Sequence, residues 1–114
     1  MRQIVIAAAI AALPAAALAH HGWSSYDANT VLTVTAPILE MRYQNPHGEL
    51  VMEESGKRWL IVLAPPSRME SRGLPREAIA VGKTATVVGY PSRNTPTEMR
   101  AERVTVDGKT VELR

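Results

Sequence analysis

The sequence predicts an all-β domain with one short helix, and three features predict it. Apolar and polar residues alternate with period two at 30–43, 49–54, 57–63, 84–90 and 98–106, the spacing of strands with one buried face. Two turn dipeptides, Ser55-Gly56 and Asp107-Gly108, sit at hairpin spacing between such segments. Only the stretch after Ala64-Pro65-Pro66 reads as a helix.

The elements follow in order. Residues 1–19 read as an export signal: Arg2 supplies the positive start, Ile4 to Leu18 is apolar apart from Pro14, and Ala17-x-Ala19 offers small residues for cleavage. A cut after Ala19 predicts a periplasmic or secreted protein. Residues 20–29, His-His-Gly-Trp-Ser-Ser-Tyr-Asp-Ala-Asn, form a polar, irregular lead. The domain proper is placed at 30–114. Its first strand is long, with Val31, Thr33 and Thr35 alternating with Leu32, Val34 and Ala36 before Pro37 interrupts and Ile38 to Tyr43 resumes. A proline there fits a bulge or an edge, so this strand should bend. Asn45-Pro46-His47-Gly48 is a turn. The next strand carries Leu50 and Met52 opposite Val51, and its hairpin partner puts Trp59, Ile61 and Leu63 on one face.

Ser67 and Glu70 match a capping box, with Ser67 as N-cap, and Gly73 suits the C′ position of a short helix. Thr84 to Tyr90 and Glu98 to Val106 are strands around a polar loop at 91–97, and Thr110 to Leu113 is a short closing strand. Three strands, a helix and two strands is the order of an OB-like five-stranded antiparallel barrel, in which a bent first strand pairs with two neighbours. The rival is an open antiparallel sheet or a small sandwich.

Composition narrows the function. Removing 19 of 114 residues leaves 95, enough for one small domain. The formal charge of +2 falls to +1 once Arg2 is gone, which is no footprint for nucleic acid. The chain has no cysteine, so it has no disulfide staple, thiolate ligand or lipobox, and its stability must come from a closed sheet or a ligand. No second apolar run approaches the ~20 residues needed to span a bilayer, so no stable membrane insertion is expected after cleavage.

The three histidines fall in two short segments, His20-His21 and His47. After cleavage His20 becomes the first residue, and its α-amine and imidazole can close a chelate ring on one metal ion. With His47, and with His21 if the segment curls, this gives a nitrogen-rich set, for which the Irving–Williams order favours Cu(II). The ligand types resemble the histidine brace of copper oxygenases and periplasmic copper carriers. Bringing residue 20 to residue 47 requires the lead to fold back over the barrel, where Trp23 and Tyr26 would pin it. Asp27 would accept from an imidazole N–H, with Asn45 as a further supporting residue. The bland reading is two solvated terminal histidines, Asp27 as a turn residue, and Met41 and Met52 as core filling rather than thioether ligands.

The runner-up is a non-metal OB-type module for an envelope peptide, protein or small ligand. Arg42, Arg58, Arg93, Arg100 and Arg103 would offer it an anion site, or lie on solvated strand faces. Catalysis finds little support: Glu53 and Glu54 are strand neighbours that point to opposite faces, and Ser24-Ser25 lacks an acid partner or an oxyanion loop.

The mature start His20-His21-Gly22-Trp23, then Asp27, Asn45-Pro46-His47 and Gly89-Tyr90-Pro91-Ser92-Arg93 together resemble a family of small exported bacterial proteins catalogued as domain of unknown function 6152. The resemblance spans the mature chain. One departure is Tyr43, where relatives are expected to carry Trp or Phe. The family implies no activity; it implies that the two histidine segments belong to one shared pattern.

Overall fold

The computed structural model describes residues 22–114. Within them one sheet coils into a closed barrel. The strands are β1 (Leu32–Arg42), β2 (Glu49–Glu54), β3 (Lys57–Val62), β4 (Thr84–Pro91), β5 (Glu98–Val106) and β6 (Lys109–Glu112), in the order β3-β2-β1-β4-β5-β6. A parallel pairing of Leu60–Val62 with Glu98–Arg100 joins β3 to β5 and closes five strands, while β6 extends β5. Every other pairing is antiparallel, so the OB-like barrel stands, and the open sheet and the sandwich are excluded.

β1 bends as its proline suggests. Leu32–Pro37 pairs with β4, Ile38–Arg42 pairs with β2, and a bulge between Ile38 and Glu40 marks the change of partner. Both two-residue turns adopt positive φ, at Ser55 and Gly56 (55° and 79°) and at Asp107 and Gly108 (52° and 75°), which matches the right-handed twist of the strands. The inward residues Val34, Ile38, Leu50, Met52, Ile61, Val87, Met99 and Val104 form one core, with the helix residue Met69 packed among them. Met52 is therefore core filling, and Met41 packs against the same cluster half-buried.

β4 and β5 carry a second bulge, where Val88 faces Arg103, Gly89 faces Ala101 and Glu102 is the extra residue. A Cβ at Gly89 would collide with the Arg100 carbonyl, so this position admits only glycine.

The helix, α1 (Pro66–Ser71), corrects one expectation. Pro65 is its N-cap and no side chain caps it, so Ser67 and Glu70 form no capping box. The reason is Pro66: its fixed φ suits the first helical position and starts the helix one residue ahead of Ser67. The C-terminus ends as expected at Gly73 (φ 92°), where the Gly73 and Leu74 N–H groups donate to Glu70 and Met69 carbonyls. A 3₁₀ turn at Arg76–Ile79, which periodicity did not reveal, brings Ile79 into the core. Among the described residues no helix is long and apolar enough to cross a membrane.

Candidate functional site

The outward face of β5 organises the rest of the molecule. Glu98, Arg100 and Glu102 alternate with the inward Met99 and Ala101, so all three point away from the core. Each is met by an aromatic ring. The Tyr26 hydroxyl donates to Glu98 Oε2 at 2.6 Å, the Tyr90 hydroxyl donates to Glu102 Oε1 at 3.0 Å, and the Arg100 guanidinium lies 4.5 Å from the Trp23 ring centre. Arg114 lies at the same 4.5 Å from the Trp23 ring, and Tyr90 meets that indole edge-on at 6.1 Å.

The lead reaches β5 by backbone contacts as well as rings. Trp23–Ser25 forms a 3₁₀ turn, and Tyr26 then pairs with Ser92 as a single antiparallel bridge. Asp27 N–H donates to the Pro91 carbonyl, Arg93 N–H donates to the Ser25 carbonyl, and Arg93 Nε donates to that of Ser24. Segment 22–30 is thus bound along loop 91–97 by an extended backbone and two rings, with Tyr26 only 6% exposed.

The charges respond to this packing. Burial raises the Tyr26 phenol well above its usual range, and its bond to Glu98 and the charges of Glu98 and Glu49 add to the rise. Arg100 is 5% exposed; burial, with the like charges of Arg68 and Arg114, lowers its proton affinity. This corrects its placement on a solvated strand face: its cover is an indole 77 positions away in sequence. Arg42, Arg58 and Arg93 are exposed, as the sequence suggested, and Arg103 is half-buried and paired with Glu112.

Asp27 forms a turn of its own. Its carboxylate accepts from the Asn29 N–H at 3.0 Å and the Thr30 hydroxyl at 2.9 Å, and these bonds hold it below the usual carboxylate range. His47 is half-buried and Asn45 exposed on the loop that joins β1 to β2. His20 and His21 lie outside the described residues, and among the described ones no three His, Cys, Asp or Glu side chains are grouped to hold a metal ion. Glu53 and Glu54 do face opposite ways, toward Arg58 and the Thr35 N–H respectively.

The structure brings Trp23 and Tyr26 together with Tyr90, Glu98, Arg100, Glu102 and Arg114; of these five, sequence reasoning had offered only Arg100, as an anion-site candidate. The available signal was the period-two run Glu98-x-Arg100-x-Glu102 in a chain whose lead holds two of its five aromatics.

β3 supplies the rest of the face. The Leu60 N–H donates to the Thr97 carbonyl at 2.9 Å, and the Leu63 N–H donates to the Gly48 carbonyl at 2.8 Å. Loops 92–97 and 43–48 are therefore both tied to this strand, at either end of an outward strip holding Leu60 and Val62, with Val51 opposite Leu60 on β2.

Fold and face together define a small OB-like barrel with a docked N-terminal segment. Residues 8–100 match the model of a family of unknown function, DUF6152, and the chain belongs to that family. No curated protein matches it.

Proposed function

We propose that the chain is an exported OB-type binding module that holds an extended segment of an envelope protein along the outward strip of β3, between loops 43–48 and 92–97. The observation that carries this reading is the docked lead. Loop 91–97 already takes an extended backbone, through the Tyr26–Ser92 bridge and the bonds at Asp27 and Arg93, while the half-buried Leu60 and Val62 give the neighbouring strip apolar character over buried Val51. OB barrels bind ligands with this strand pair and these loops.

The test is site-specific photocrosslinking in the exporting cell, with a photoreactive residue at Leu60. A discrete adduct, absent when the same residue stands at exposed Lys109, supports the module. Labelling no stronger at Leu60 than at Lys109 rejects it.

A second reading is favoured by the place of His47. His47 is half-buried on the loop that leads into Glu49 at the start of β2. On this reading the lead and loop 43–48 share a copper ion, with His20 giving amine and imidazole, His47 a second imidazole and His21 a third. Titrating Cu(II) into protein beginning at His20, against a weak competing chelator, should give a one-to-one tetragonal nitrogen-rich EPR signal. One residue added before His20 should weaken it by orders of magnitude, and His47→Ala should change its spectrum. Affinity no better than that of a free His-His peptide would reject copper and leave the module reading intact.

A further inference from the structure

On another side of the barrel a cleft of about 530 Å³ opens between the turn after α1 and the β5–β6 hairpin. Its volume falls within the ~300–1,000 Å³ usual for small-molecule sites. The floor is apolar and firm: Leu74, Val106 and Val111 are buried, and the Leu74 carbonyl accepts from the Tyr43 hydroxyl at 2.7 Å.

Two opposite charges stand at its rim, Lys109 and Glu70. Asp107, the third charged residue there, is taken by Lys83 at 2.6 Å. Lys109 Nζ donates to the Gly73 carbonyl at 3.2 Å, and neither Lys109 nor Glu70 forms an ion pair among the described residues. Gly73 makes room for that ammonium, since a Cβ there would collide with Nζ. A positive group, a negative group and an apolar floor lining one cleft complement a specific chemical class.

We propose that this cleft binds a small zwitterion with an apolar side chain, a free hydrophobic amino acid or a dipeptide of such residues. Its carboxylate meets Lys109, its ammonium meets Glu70, and its side chain rests on Pro75 and Ala78, backed by the buried Leu74, Val106 and Val111. A bare hydrophobic anion would satisfy Lys109 and leave its own charge facing Glu70; the zwitterion satisfies both. The site is separate from the β3 strip and does not depend on the function proposed above.

The test is amide NMR of the full mature chain titrated with L-leucine and with Leu-Leu. Two single-charge analogues serve as controls, 4-methylpentanoate without the amine and 3-methylbutylamine without the carboxylate. Saturable shifts centred on Leu74, Ala78 and Val111 are expected. Binding should weaken about tenfold or more for each analogue and for each of Lys109→Met and Glu70→Gln, with the melting temperature unchanged. Absence of saturable shifts at millimolar ligand overturns the proposal, as does equal binding of the analogues or indifference to both substitutions.

Discussion

Along the outward face of β5, three charged side chains meet three rings, and the chain supplies both sides of every contact. Around the cleft beside α1, Lys109 and Glu70 line a cavity with an apolar floor and form no ion pair among the described residues. The residue types are the same in the two regions: charges on a strand or helix edge beside apolar surface. What differs is closure. The β5 face is a finished intramolecular interface, where a buried arginine is acceptable because an indole and a neighbouring segment replace its water. The cleft is an open one, with Lys109 and Glu70 exposed to solvent at its lining.

Truncating each region should separate them. Trp23→Ala removes the ring between Arg100 and Arg114 and the edge contact to Tyr90, and should cost about 2 kcal/mol of stability. Lys109→Met on the cleft side should change stability by no more than about 0.5 kcal/mol. Urea denaturation of both variants measures the contrast; equal losses would erase it.

Alkaline titration probes the finished face more finely. All three tyrosines hold their protons more tightly than a free phenol: Tyr26 by burial and then Glu98, Tyr90 by its bond to Glu102 and then burial, Tyr43 by burial and then the charges of Glu70 and Glu77. In each case the folded state keeps a proton that the unfolded state releases near pH ~10. Their contribution is therefore complete below pH ~10 and is lost as pH rises through the folded values. Phenolate absorbance should appear together with unfolding, and Tyr26→Phe should reduce the alkaline loss. Ionisation of all three at the ordinary pH, ahead of any unfolding, would contradict this.

The smallest effect belongs to Ser67. A working N-cap costs about 1 kcal/mol to remove, but Ser67 stands inside α1, so Ser67→Ala should shift the urea midpoint by no more than about 0.5 kcal/mol equivalent.

The barrel was legible in the chain because its cause is local. Inward residues such as Leu50, Met52, Trp59 and Ile61 recur every second position, Pro37 announces a bend, and Asp107-Gly108 announces a turn. The capping box failed for an equally local reason, since Pro66 starts the helix first. The β5 face was only half legible. Trp23 and Tyr26 stood out as rings needing a surface, but Arg100 looks like any strand arginine until the fold brings residue 23 against it. Contacts between residues so distant leave no periodic trace at either end. The cleft is harder still, because it forms where the turn after α1 passes the β5–β6 hairpin, and no single segment encodes it.

The pairing that closes the barrel also sets a timetable. Leu60 on β3 receives its last neighbour only from Glu98, and β1 needs β4 as well as β2 before both its halves are covered. A chain stopped short of Glu98 therefore holds four strands and two open edges, each a template for pairing with another molecule. Folding that waits on so distant a contact belongs to the slow, millisecond-to-second class of β proteins. The interval before β5 arrives is when this protein is most exposed to aggregation, and when a chaperone or a fast passage to the folded state matters most.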